Sequence, residues 1–133
     1  MIFYSAKTGP DPDALKLAFQ KCGALATANQ CTAITIAVPT KGNLQGIMDE
    51  VLGEKAVAIL LRDNALRLGT ITLYVATERV PLAHRGPVLA AWTNIKHVTA
   101  ISQSHHTTDI VYLPWLNEEL VEFQKQFPQA LPL

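Results

Sequence analysis

The sequence predicts a single α/β domain, a Rossmann-like three-layer α/β/α sandwich around a mainly parallel sheet of about five strands, with room for one antiparallel strand. Three observations carry this. Short apolar runs alternate with one-sided amphipathic patterns through most of the chain, as when helices cover a sheet. The run Ala33-Ile34-Thr35-Ile36-Ala37-Val38 holds no charge, which suits a parallel strand buried on both faces. A chain of 133 residues with 49% hydrophobic side chains is sized for one compact domain, residues 1–133, with a substantial core.

In chain order, Ile2 to Ala6 is a first short strand, closed by the turn-forming Lys7-Thr8-Gly9-Pro10-Asp11-Pro12. Leu15, Ala18, Phe19, Cys22 and Leu25 or Ala26 then recur at helical spacing, with Asp11 suited to the cap and Pro12 to the first turn. Thr32 to Val38 is the second strand and belongs in the middle of the sheet. Asn43 is a reasonable N-cap for a helix carrying Leu44, Ile47, Met48, Val51 and Leu52, stopped at Gly53. Periodicity does not separate helix from strand over Ala56 to Leu61; the alanine and leucine content and the charged ends favour helix.

Thr70 to Val80 alternates as a strand whose far end, Glu78 and Arg79, reaches solvent. Pro81 to Gly86 is a loop and Val88 to Trp92 another strand. So short a connection favours an antiparallel pair. Asn94 begins a helix with Ile95, Val98 and Ile101 on one face, followed by a polar loop, a final strand from Ile110 to Leu113, and a helix that Asn117 can cap.

Charge and composition narrow the partners. Eleven basic residues balance eleven acidic ones, so a basic groove for nucleic acid is disfavoured. No apolar stretch approaches the roughly 18 residues of a membrane span, and the opening residues lack the basic region of a signal peptide; the expectation is a cytoplasmic protein without membrane contact. Cys22 and Cys31 read as reduced, largely buried thiols. A mean hydropathy of +0.17 leads us to expect a homo-oligomer.

An early strand, Gly9-Pro10 ahead of a helix with Leu15, Leu17 and Ala18, and an apolar strand running into a polar turn with Gly42 together give Phe3 to Gly53 a familiar outline. In this pattern the segment resembles the α/β C-terminal domain of pyruvate kinase and its stand-alone relatives. The resemblance spans less than half of the chain and uses common residues. It implies the fold class and carries over none of that family's effector-binding residues.

The candidate chemistry lies in the loops. Thr40, Lys41, Gly42 and Asn43 place a hydroxyl, an amine and backbone amides at a strand-to-helix turn, a place that suits a phosphate or carboxylate. Their spacing is not that of a phosphate-binding P-loop. Lys7, Thr8 and Gly9 would join them if the first two strands are neighbours. For both loops a capped turn with a solvated lysine is the simpler account.

Thr93 and Asn94 join the same rim only if their strand runs parallel to the second. His105, His106 and Asp109 invite thoughts of metal or acid-base chemistry, but adjacent histidines aim poorly at one metal. His84, Arg85 and His97 are discounted likewise. Ser5, Ser102 and Ser104 lack a nucleophile elbow, and Asp49 with Glu50 reads as a solvated face. Trp92 and Trp115 end predicted strands and are expected to be buried with their indole N–H groups satisfied.

No catalytic set and no cofactor emerge. The leading expectation is a domain that binds an anionic small molecule, a nucleotide or phosphate compound, at the rim formed by Lys7 to Gly9 and Thr40 to Asn43. The alternative is a non-enzymatic interaction or regulatory module acting as a homo-oligomer. A hydrolase built on Glu78 and the late-loop histidines has the least support.

Overall fold

The computed structural model describes residues 1–133. Seven strands form one sheet: β1 (Ile2–Tyr4), β2 (Ala33–Ala37), β3 (Ala65–Leu68), β4 (Ile71–Ala76), β5 (Gly86–Ala91), β6 (Thr107–Leu113) and β7 (Leu131–Pro132). Their spatial order is β3-β4-β2-β5-β6-β1-β7. Five helices accompany them: α1 (Pro12–Ala28), α2 (Ile47–Leu52), α3 (Glu54–Asp63), α4 (Ile95–Ser102) and α5 (Asn117–Gln126), with a 3₁₀ turn at Lys41–Leu44.

Strand alternation sorts the side chains into two layers of core. On one face Ile34, Ile36, Leu89 and Val111 pack under α1, α2 and α3, with Leu15, Ala18, Met48, Val57 and Leu60 buried among them. On the other, Val88, Ala90, Ile110 and Tyr112 meet Val98 and Ile101 of α4 and Phe123 of α5. Helices on both faces of a mostly parallel sheet make the expected three-layer sandwich. β2 is buried along its whole length, as its charge-free sequence requires.

The five expected strands are β1, β2, β4, β5 and β6. The two unforeseen ones are edges. β3 pairs with β4 and supplies the only antiparallel ladder; β7 is a two-residue strand parallel to β1. The strand expected to be antiparallel, β5, is instead parallel to both β2 and β6.

The physical reason lies in residues 77–85. Residues 77–80 fold into a turn, in which the Thr77 hydroxyl accepts from the Arg79 and Val80 amides. The six residue steps from Val80 to Gly86 then reach about 20 Å when extended, the length of a strand, and step over β2 without a crossover helix. The segment is pinned on its way: the His84 ring stacks on Tyr74 at 3.5 Å between centroids, and Arg85 Nη1 donates to Cys31 Sγ at 3.3 Å.

Helix starts follow local chemistry in part. Asp11 Oδ1 accepts from the Ala14 amide at 3.0 Å with Pro12 in the first turn of α1, and Asn94 Oδ1 accepts from the His97 amide at 2.8 Å to cap α4. Residues 54–63 are helical, as the alanine and leucine content favours.

Two cap expectations are corrected. Asn43 does not cap the second helix: it closes the 3₁₀ turn by accepting from the Thr40 amide and hydroxyl at 3.1 and 3.0 Å, and α2 begins only at Ile47. Asn117 is the first helical residue of α5 and the cap position is Leu116, whose amide donates to Glu119 Oε1 at 2.8 Å.

Candidate functional site

In a parallel sheet every strand ends on the same side, so the loops after β1, β2, β4, β5 and β6 share one rim. Neighbouring strands there send their chains to opposite faces: β2 leads to α2 and α3 on one face, and β5 leads to α4 on the other. Such a divergence opens a crevice at the carboxyl ends of strands, where ligands of open α/β sheets bind. Because β5 is parallel to β2, Thr93 and Asn94 lie on this rim.

The two loops singled out from the sequence are both on the rim, but their lysines do not converge. β5 and β6 stand between β2 and β1. Lys41 turns its ammonium to the carbonyl of Leu61 near the end of α3, at 2.9 Å. Lys7 is exposed, 3.8 Å from Asp11 Oδ2. Thr8 is exposed, and Gly9, in the left-handed region at φ +77°, donates its N–H to the Pro114 carbonyl at 3.1 Å. Thr40 and Asn43 bond chiefly to each other. The early condition for a two-lysine anion site, neighbouring first and second strands, is not met.

What the rim does bring together is aromatic. A cleft of about 290 Å³ is lined by Pro10, Gly42, Asn43 and Gly46 together with Trp92 and Trp115. Pro10 and Gly42–Asn43 extend or belong to the two loops read from the sequence. Trp92 is buried, 7% exposed, whereas Trp115 is 45% exposed. The expectation of two buried tryptophans therefore holds, as to burial, for Trp92 and fails for Trp115, which stands on the turn after β6.

Trp92 has φ +59°, a conformation that costs a residue with a Cβ about 1–2 kcal/mol. Its amide donates to the Leu113 carbonyl at 2.8 Å, which extends the β5–β6 pairing by one residue. Burial of the indole and this bond hold the residue in its unfavourable conformation. The bend also turns Thr93 and Asn94 toward the opposite face of the sheet.

There a second group assembles. Asn94 Nδ2 donates to Glu78 Oε1 at 2.8 Å, and the buried Thr93 hydroxyl pairs with His97 Nδ1. Burial lowers the His97 pKa from its ordinary value, opposed by the Glu78 carboxylate, which raises it. Glu78 and His97 line a cleft of about 240 Å³ between α4 and the segment after β4. Sequence reading missed this pairing because an antiparallel β5 would have put residues 93–97 at the far end of the sheet. The signal that finds it is the pair of strand ends at Ala76 and Ala91, once both are taken to run the same way.

The remaining candidates do not form a site. Asp109 is 5% exposed, and its carboxylate is held by the Met1 amino group at 3.0 Å and Asn29 Nδ2 at 2.6 Å, not by a histidine. His105 and His106 pack against each other at 4.0 Å between ring centroids just before β6, at the amino end of the sheet, whereas Glu78 follows the carboxyl end of β4. A hydrolase joining them has no geometry.

No three His, Cys, Asp or Glu side chains are grouped to hold a metal ion. Ser5 and Ser102 donate to the nearby carbonyls of Lys7 and Thr99. Both cysteines are free and buried, and no helix is long and apolar enough to cross a membrane.

The fold and rim define a mostly parallel α/β sandwich with two clefts at the carboxyl ends of its strands. Compared with known proteins, the chain matches no family model, no curated protein and no solved structure.

Proposed function

We propose that this chain is a small-molecule-binding α/β domain whose ligand lies at the carboxyl ends of the strands, with a planar ring against the indole of Trp115. The observation that carries this reading is the 45% exposure of Trp115 beside a cleft of about 290 Å³ that it lines together with Gly42 and Asn43. An exposed indole beside a polar turn gives a ring both a stacking surface and hydrogen-bonding groups. Among the anionic ligands expected from the sequence, this favours a nucleotide over a bare phosphate. Lys7 and Lys41 flank the rim, each already engaged, so the ring contributes more to recognition than the charge.

The chain has two tryptophans, both at this cleft, so its intrinsic fluorescence reports the site directly. Titration with adenosine and with AMP should give saturable quenching that Trp115→Ala removes from Trp92 emission, while inorganic phosphate alone gives none. Tighter binding of AMP than of adenosine, lost in Lys7→Ala or Lys41→Ala, would assign charge recognition to the two loops. Flat responses to both compounds would refute the reading.

The alternative, a module assembling with copies of itself, is supported by three exposed apolar side chains close in sequence, Trp115, Leu116 and Val121. A dimer in light scattering that Leu116→Glu converts to monomer would favour it.

A further inference from the structure

The second cleft, on the opposite face from the tryptophans, has its own chemistry. Its apolar lining is Pro81 and Leu82 from the segment after β4 and Ala100 and Ile101 of α4. At one end stands the Glu78 carboxylate, held by the Asn94 side-chain amide at 2.8 Å. No ammonium or guanidinium lies within 4.0 Å of it: the chain's ion pairs are Met1 with Asp109, Lys7 with Asp11, and Arg62 with Asp63. Beside it His97 has one ring nitrogen engaged by Thr93. Partial burial favours the neutral imidazole, so the ring adds no competing positive charge near neutral pH.

A positioned, uncompensated carboxylate at the mouth of an apolar pocket is complementary to a cation with a short hydrocarbon body. We propose that this cleft is a binding site for a small primary ammonium compound, its nitrogen on Glu78 and its apolar part over Leu82 and Ile101. A cleft of about 240 Å³ admits a small compound. A carboxylate ligand would meet Glu78 as a like charge, and a neutral alcohol would leave that charge unpaired.

The site is independent of the tryptophan cleft, so either reading can fail alone. The test is an amide and side-chain NMR titration of the whole chain at pH 7.5 with n-butylammonium, using n-butanol and butyrate as matched probes. Butylammonium should shift the resonances of Glu78, Asn94, His97 and Ile101 saturably, and the two analogues should not. Glu78→Gln, a nearly isosteric change at an exposed residue, should weaken butylammonium binding roughly fivefold, as expected for a partly solvated ion pair. Equal shifts with all three probes, unchanged affinity in Glu78→Gln, or butylammonium shifts located elsewhere would each overturn the proposal.

Discussion

The indoles of Trp92 and Trp115 meet edge to face, their centroids 5.9 Å apart and their planes at 78°. They follow the ends of adjacent parallel strands, β5 and β6, and Trp92 makes the contact from a left-handed backbone at φ +59°. The buried ring stabilises a backbone that its own Cβ disfavours. These effects are separable by substitution. Trp92→Ala loses the packing and keeps the strain; Trp92→Gly loses the same packing and removes the strain. Both variants should be less stable than the parent by about 3 kcal/mol or more, with Trp92→Gly the more stable of the two by about 1 kcal/mol. Urea unfolding measures the order; a glycine variant less stable than alanine would show that the left-handed backbone is not strained.

The core strands were legible because each is a short apolar run bounded by turn residues. The edge strands were not. β3 carries Arg67 and an exposed Leu68, so it lacks the buried face that marks a strand, and β7 is too short to show a period. The rim was legible as a place, since Gly9 and Gly42–Asn43 do lie in the segments that follow β1 and β2. Its contents were not, because which loops meet depends on strand order and direction. Lys7 and Lys41 looked like a pair only with β1 beside β2, and Glu78 with His97 became a pair only when β5 proved parallel. Neither relation has a local signal.

Gly86 opens β5 where the returning segment re-enters the sheet, beside a register irregularity at Pro87. A Cβ built on it would lie 2.1 Å from the Ala33 carbonyl oxygen, a backbone atom in the neighbouring strand. The close approach lies where the segment returning through residues 81–85 joins β5 alongside β2. Gly86→Ala must therefore push two central strands apart and should cost about 1–3 kcal/mol. The measurement is the urea midpoint, compared with Gly23→Ala in α1, where nothing beyond the helix's own backbone lies within 4 Å of the added carbon. That control should be neutral or slightly stabilising.

Cys22 is fully buried on α1, and burial, with a smaller contribution from the Asp109 carboxylate, pushes its thiol pKa up to about 12. The thiolate is the reactive form, so at pH 8 native Cys22 should resist a water-soluble disulfide reagent and react only on unfolding. Mass spectrometry after a timed pulse of reagent reads this directly. The Cys31→Ser variant isolates Cys22: label uptake should be negligible in buffer and complete in denaturant. Rapid native labelling of Cys22 would mean that α1 opens locally.

His97 links pH to stability through its lowered folded-state pKa. Burial disfavours its charged form, and Glu78 only partly offsets that effect. The unfolded chain therefore binds a proton more readily than the folded one, and stability rises with pH. The contribution is fully present above the unfolded value near 6.5 and is lost as pH falls through the lower folded value. Melting temperature should fall between pH 7.5 and 5.5, and His97→Gln should flatten that part of the profile. Glu78→Gln should act in the opposite sense. Without the carboxylate, the folded-state pKa of His97 drops further, so the loss of stability on acidification steepens. An NMR titration of the His97 ring in both backgrounds gives the sign independently, and a higher His97 pKa in Glu78→Gln would show that the carboxylate does not face the imidazole in solution.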